Sequence, residues 1–519
     1  MNSDPRSPAY RWSVLALIMT GTFMAILDTS IVNVALPHMM SAFGVNRNQI
    51  EWVTTGFMLA TAVSMPLVGW LVGRLGHKTL YLGSLALFTL GSAACAMSWS
   101  YDSLIVARII QAAGGGAIQP VGMAMIAELF EPEERGKALG VWGTGIMIGP
   151  AVGPTLGGYL TDVFNWRSIF SVNLPFGIVA LLIGLALMES DSKRLKRKLP
   201  FDWWGFIFLS IALITGLLAL SKGQEKGWTS GYIITCLSFT IIGLTMFLTV
   251  ENVIAHPLLD LKLFLYRNFS LSMGLAIFRA VGLFGGVFLV PIFLENLVGY
   301  TTIQTGLWMM PMALTVGIMM PISGRMADRY SARWLVLVGS ALTGISLLIY
   351  GDLDPLSGAA MIIGPQLIRG FGLALMMAPL LTAAINAVPK EQVATASSFL
   401  NVAQRLGGSF GIALLNTFVT SSVRVHAVRL GSLVGNSPES LRQWAEVGLK
   451  VDHMKVQGLF LNTEMRGTIS AAKTVLDRAN VLGFQNGFFL AGCIILLSLP
   501  LCLMLQDRKR PSENLIEKK

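Results

Sequence analysis

One carboxylate interrupts the first apolar run of this chain. Asp28 is the only charged residue between Trp12 and Leu36, and it lies 16 residues beyond Trp12, about 24 Å along a helix at about 1.5 Å per residue. If that run crosses a bilayer, the carboxyl group sits inside it and past the midplane, where a charge is costly and marks a functional site by default. Loss of water disfavours the charged form of a carboxyl group, which suits it to taking up and releasing a proton. Satisfaction by Thr29 or Asn33 is the plainer use of the same residue. Arg108 and Gln111 stand three residues apart in a later apolar run and share a helix face. Arg279, Arg369 and Arg405 are three more cations within apolar runs, and each needs a carboxylate or carbonyl partner there. Few acids lie in the runs around them, so Asp28 is expected to pair with Arg405 or Arg279, which of the two being open. Glu51 and Glu295 fall near run ends, where solvated roles are expected.

The chemistry of an enzyme or an ATP-driven pump is missing from the motifs. There is no Gly-x4-Gly-Lys-Ser/Thr loop, no His-Glu-x2-His, and no metal set among the five histidines and four cysteines. Cys95, Cys236, Cys493 and Cys502 all lie in apolar runs and offer neither a disulfide framework nor a CxxC pair. No cofactor is implied. The remaining class is a secondary transporter, since a receptor or scaffold has no need of buried charge in both parts of the chain.

The elements that must hold these residues are membrane helices. Of 519 residues 54% are apolar and 13% charged, against roughly 25% charged in soluble domains. Runs of about 20 apolar residues, the length that spans a hydrocarbon core, recur fourteen times between residues 12 and 505. The first is too long for a signal-peptide core and lacks a small-residue cleavage site, so it is expected to remain as a helix. With the amino terminus inside, the inner loops and tails carry 22 Lys and Arg and the short outer loops 4, the positive-inside pattern. The net charge of +10 thus reflects topology and contact with anionic lipid, and a nucleic-acid partner is not expected. The basic run Lys193, Arg194, Lys196, Arg197 and Lys198 reads as such an anchor. Both termini are placed in the cytoplasm. The segment at about 421–484 is then extracytoplasmic, with Leu441, Trp444, Val447 and Val451 at helical spacing.

The chain also repeats itself. Gly69, Arg74, Lys78 and Leu80 recur 255 residues later as Gly324, Arg329, Arg333 and Leu335, each set following an apolar run. A weaker echo relates Arg-Ile-Ile-Gln111 to Gln-Leu-Ile-Arg369. The repeat predicts an all-α polytopic fold of two six-helix bundles, residues 1–190 and 269–506. The segment 191–268 supplies the basic loop and two inserted helices, and 507–519 a cytoplasmic tail. In parallel repeats of this kind the substrate site lies between the halves near the midplane. The fifth run carries Gly145, Gly149, Gly153 and Gly157 in one stripe, with Pro150, Pro154 and Gly158 beside it, a surface for close helix crossing.

The loop motif resembles the signature of the major facilitator superfamily. Three further stretches are similar to the fourteen-helix drug:proton antiporters of the EmrB/QacA type: Leu27-Asp-Thr-Ser-Ile-Val-Asn33-Val-Ala-Leu-Pro37, Trp166-Arg-Ser-Ile-Phe-Ser-Val-Asn173-Leu-Pro175, and Ala396-Ser-Ser398 through Gln404-Arg405-Leu-Gly-Gly408. The glycine-proline stripe of the fifth run resembles the antiporter signature of exporters. The resemblance implies export of lipophilic drugs or toxic compounds against a proton gradient by alternating access. It places the chain in a bacterial inner membrane, with a periplasmic adaptor and an outer-membrane channel as partners in double-membraned cells, and the outer segment as a contact for the adaptor. Export of one physiological solute, such as a siderophore, amino acid or lipid, is the alternative. Asp28, with Asn33, is implied in coupling or substrate contact, and Arg108 in proton coupling, although Ala112 replaces the usual glycine near it. Gly69, Arg74, Lys78, Gly324, Asp328, Arg329 and Arg333 are expected to latch the cytoplasmic side, Asp328 by capping a neighbouring helix. Gly73 stands where the family commonly has aspartate, so the first copy lacks that cap.

Overall fold

The computed structural model describes residues 7–189, 200–434 and 463–506. Regular structure among them is helical throughout, in fourteen long elements. These are α1 (Pro8–Phe43), α2 (Arg47–Leu75), α3 (His77–Ala96), α4 (Tyr101–Leu129), α5 (Arg135–Val163), α6 (Ser168–Leu187) and α7 (Trp203–Lys226). They continue with α8 (Gly231–Val253), α9 (Arg267–Phe293), α10 (Thr302–Arg329), α11 (Ala332–Ile349), α12 (Ala359–Asn386), α13 (Val393–Val434) and α14 (Thr463–Leu496). Thirteen of them contain a window apolar enough to cross a membrane. The fourteenth, α5, is 29 residues long, about 43 Å. Its eight glycines and two prolines dilute its hydropathy without shortening it.

Local chemistry starts and stops these helices. Side chains of Ser7, Ser100, Ser230 and Thr301 accept hydrogen bonds from first-turn amides of α1, α4, α8 and α10, which otherwise lack partners. Gly76 turns the chain between α2 and α3 at φ 85°, a conformation that costs a residue with a Cβ. The chain then packs as two bundles, α1–α6 and α9–α14. α7 lies against both α2 and α13, and α8 packs on α7. Two bundles with an inserted hairpin is the arrangement the repeat predicts.

The halves meet through close glycine contacts at the end that carries the basic loops. A Cβ on Gly69 would fall 2.4 Å from Thr395 Oγ1 of α13, and one on Gly324 would fall 2.1 Å from the Gly136 carbonyl oxygen of α5. The two repeated glycines therefore serve equivalent crossings, α2 on α13 and α10 on α5. Higher in α5 the stripe turns to α1: a Cβ on Gly149 would fall 2.8 Å from Ile26, and one on Gly153 2.6 Å from Ser30. Gly145 is looser, 3.8 Å from the Met19 carbonyl, while Gly157 packs on Ile31 and Gly158 faces open space. Pro150 and Pro154 lie inside the helix.

One expectation about the ends of runs is corrected. α13 does not stop near 420: it is 42 residues long, about 63 Å, roughly twice a hydrocarbon core. α14 begins at Thr463, well before 485. Hydropathy falls where the helix leaves lipid, yet each helix supports the other beyond that point. Asn486 Nδ2 donates to Ser422 Oγ at 2.8 Å and lies 3.0 Å from His426 Nε2. Leu441, Trp444, Val447, Val451, the basic run at 193–198 and the tail at 507–519 lie outside the described residues.

Candidate functional site

Asp28 is fully buried inside the first bundle, where α1, α2, α3, α4 and α6 converge. Its Oδ2 accepts from Arg108 Nη1 at 2.6 Å, and its Oδ1 accepts from Gln111 Nε2 at 2.8 Å and from Asn173 Nδ2 at 3.2 Å. Arg108 also donates to Gln111 Oε1 at 2.6 Å and, through Nε, to the Val53 carbonyl at 3.2 Å. Ser92 Oγ accepts from Gln111 at 2.6 Å and from Asn173 at 3.3 Å. The Arg108 guanidinium lies 4.0 Å from the Phe57 ring centroid and 5.6 Å from that of Phe170. Two aromatic faces thus screen the pair from its surroundings. The expected partner of Asp28 is corrected: the carboxylate pairs with Arg108 of its own bundle, and neither Arg279 nor Arg405 reaches it. Helix rotation decides this, because Asp28 turns into the bundle. Asn33, five residues on, is exposed and donates to the Thr29 carbonyl of its own helix at 3.3 Å.

Among the described residues no carboxylate pairs with Arg279, Arg369 or Arg405 in the second bundle. Arg369 is fully buried, donates to Met312 Sδ at 3.2 and 3.0 Å and to Gln366 Oε1 at 3.4 Å, and lies 5.8 Å from the Tyr350 ring centroid. Arg279 is buried and Arg405 half-buried. Glu51, expected to be solvated, binds Lys222 of α7 at 2.7 Å and Arg47 at 3.5 Å.

The repeated loops divide their tasks. Asp328, at the end of α10, accepts from the backbone amides of Gly136 and Lys137 at 2.7 and 2.8 Å, capping α5 across the boundary between halves. Arg135 Nη1 reinforces that boundary, donating to Asn386 Oδ1 of α12 at 2.7 Å. Two of the cations bind backbone carbonyls. Lys78 donates to the carbonyl oxygens of Met188 and Leu185 at the end of α6, and Arg333 donates to the Leu505 carbonyl at 2.8 Å beyond α14. Each of these bonds holds the last helix of its own half. Arg74 is exposed and lies 5.2 Å from the Trp70 ring centroid, and Arg329 is exposed. A Cβ on Gly73 would meet nothing within 4 Å, so the first copy makes no matching cap.

A model of the Major Facilitator Superfamily matches residues 18–412. The chain belongs to that superfamily. Among its relatives is Multidrug export protein EmrB of Escherichia coli (strain K12), 31% identical over 441 residues, which cover 84% of this chain and 86% of that one. Multidrug resistance protein Stp of Mycobacterium tuberculosis (strain ATCC 25618 / H37Rv) is 34% identical over 414 residues, 79% of this chain and 76% of that one. An uncharacterized MFS-type transporter, YhcA, of Bacillus subtilis (strain 168) is 32% identical over 519 residues, with 97% and 95% covered. In solved structures the fold recurs in the human organic anion transporter MFSD10, with a TM-score of 0.61, 16% identity and 96% of this chain covered. It recurs also in the proton:xylose symporter XylE bound to 6-bromo-6-deoxy-D-glucose, with a TM-score of 0.59, 13% identity and 95% covered.

This major facilitator is therefore a multi-pass membrane transporter rather than an enzyme. Its sealed network includes Asn173 and Ser92, neither among the site residues the sequence pointed to. Asn173 belonged to the motif that leads into α6, where its position among matched residues was the available signal. Ser92 carries no such signal: a serine in an apolar run is ordinary, and only the packing of α3 against α4 brings it to Gln111.

Proposed function

We propose that this major facilitator exports lipophilic small molecules, drugs or toxic compounds among them, in exchange for protons by alternating access. The observation that carries the reading is the buried Asp28–Arg108 pair within a bundle whose basic end is capped shut by Asp328. A carboxylate that is 0% exposed and bonded by three donors cannot exchange a proton until the helices around it shift. That couples protonation to motion. When Asp28 takes a proton it loses its attraction for Arg108, and the freed cation must find another partner, which favours a different packing of α1 against α4. The relatives named for multidrug export and resistance support the class of substrate. The charge distribution supports a bacterial inner-membrane location with both termini and the capped end in the cytoplasm. The long α13–α14 pair on the other side is the surface offered to a periplasmic adaptor that leads to an outer-membrane channel. Purified protein reconstituted with an imposed pH gradient, and offered a panel of lipophilic compounds, tests the reading. Gradient-driven movement of several unrelated compounds is expected. If none moves, the multidrug reading fails and export of a single physiological solute gains.

A further inference from the structure

The start of α7 and the end of α8 come together at the end of the molecule that carries the basic loops, and two acids are shut inside the junction. Asp202 is 5% exposed and Glu251 is 6% exposed. One oxygen of each is in use. Asp202 Oδ1 accepts from the Gly205 amide at 2.8 Å, which caps α7, and Glu251 Oε1 accepts at 3.2 Å from the Leu259 amide in the linker at 254–266. The remaining oxygens, Asp202 Oδ2 and Glu251 Oε2, are buried and have no hydrogen-bond partner. Both carboxyl groups lie against one point. A Cβ on Gly205 would fall 2.1 Å from Asp202 Oδ2 and 3.0 Å from Glu251 Oε1, so the two groups are no further apart than those distances laid end to end.

No positive charge answers them. Among the described residues neither acid forms an ion pair, and the charges that act on Glu251 are Asp202 of α7 and Asp260 of the linker, both acidic. Asp260 is itself occupied, accepting from the Lys262 amide at 3.0 Å and from Gln392 Nε2, at the foot of α13, at 2.8 Å. The nearby cations His256 and Lys262 of the linker and Arg267 of α9 are exposed. Towards α2 the junction is closed by rings: Phe201 meets Trp70 with centroids 4.8 Å apart, and the Arg74 guanidinium is taken by the Trp70 ring.

Two ionised carboxylates this close, out of water and without a cation, repel strongly. A buried acid so placed escapes the cost of its charge by keeping a proton. One proton removes both defects at once, because it makes one orphan oxygen a donor and leaves the other carboxylate to accept. Such a pair titrates as a unit.

We propose that Asp202 and Glu251 form a proton-binding site apart from Asp28, holding one proton between their two carboxyl groups and with it fastening the linker at 254–266 to the inserted hairpin. That linker leads directly into α9, so the site joins the hairpin to the second bundle. The fastening is present while the proton is held and weakens as the pH at that end rises, since the closed junction binds a proton that the separated acids release. The inference goes beyond the export reading and does not depend on it.

Infrared spectra of the full chain in lipid bilayers separate a protonated carboxyl group from a carboxylate by its C=O stretch, and deuterium exchange read by mass spectrometry follows the linker amides. Near neutral pH the wild type should show a protonated-carboxyl band that E251Q and D202N each lack, because the new side-chain amide supplies the hydrogen that the shared proton supplied. Between about pH 6 and about pH 9 the Leu258 and Leu259 amides should lose about tenfold of their protection in the wild type, once the intrinsic pH dependence of exchange is removed, and none in E251Q, whose amide oxygen still accepts from Leu259. A wild-type spectrum without any protonated-carboxyl band overturns the proposal even if the variants fail to fold. So do identical bands in the wild type and E251Q, and so does linker protection that responds to pH alike in both.

Discussion

At the scale of single residues the decisive fact is that Asp28 and Arg108 neutralise each other with 0% and 1% of their side chains exposed. Removing one partner of such a pair strands the other, a loss of about 3–5 kcal/mol, whereas removing both is far milder. D28N should therefore lower the midpoint of thermal unfolding in detergent more than the double variant D28N/R108Q does. Both should lose pH-gradient-driven efflux. A double variant less stable than D28N would contradict the pairing, and efflux retained by D28N would contradict the coupling role. N173L removes one donor from the Asp28 carboxylate, and about 1–3 kcal/mol of stability should go with it, again read by thermal unfolding. Asp28, Arg108 and Gln111 were legible in the sequence because a lone polar group in an apolar run stands out on its own. Their mutual contact was not, since it depends on how α1 and α4 are rotated.

Among the elements, α5 carries the most consequence. Its first turn receives Asp328, and the glycines beyond it let α10 and then α1 approach closely. D328A leaves the Gly136 and Lys137 amides uncapped, at a cost of about 0.5–2 kcal/mol, and should free the capped end to open more often. Labelling of a cysteine at Thr144, which donates to the Gly317 carbonyl of α10 at 3.3 Å, should rise in that background. Unchanged labelling would show that the cap does not hold the halves. The converse substitution is available in the first copy, where Gly73 has room for a side chain. G73D should supply a second cap and slow turnover, measurable as a fall in the rate of substrate efflux with substrate binding intact. The repeat made these loops visible, but it could not separate Asp328, which crosses between halves, from Lys78 and Arg333, which bind carbonyls within them.

For the whole molecule, the inserted hairpin links the two bundles at the end away from the basic loops. Lys222 of α7 binds Glu51 of α2 at 2.7 Å, Trp228 Nε1 donates to Thr417 Oγ1 of α13 at 2.9 Å, and Thr417 donates to Gln224 Oε1 at 3.1 Å. Polar ties that remain partly open to solvent contribute little to stability, about 0–1 kcal/mol. A protein carrying E51Q and T417V should accordingly unfold within a few degrees of the wild type, while its transport rate changes by severalfold as the halves rock without the strap. Loss of stability with an unaltered rate would make the hairpin a packing element instead.

The all-α fold, its two halves and the inserted pair were legible in the sequence itself. Hydropathy, loop charge and repeated residues are local properties that survive without knowledge of which helices touch. Tertiary structure alone decided that Asp28 belongs to Arg108 rather than to a cation of the other half, and that Asn173 and Ser92 complete its shell. It also decided that Arg279 and Arg405 make no ion pair among the described residues, and that α13 runs on past the end of its apolar stretch. A helix turns 100° with each residue, so a side chain's partner is fixed by the rotation and packing of whole helices, which no run of residues records.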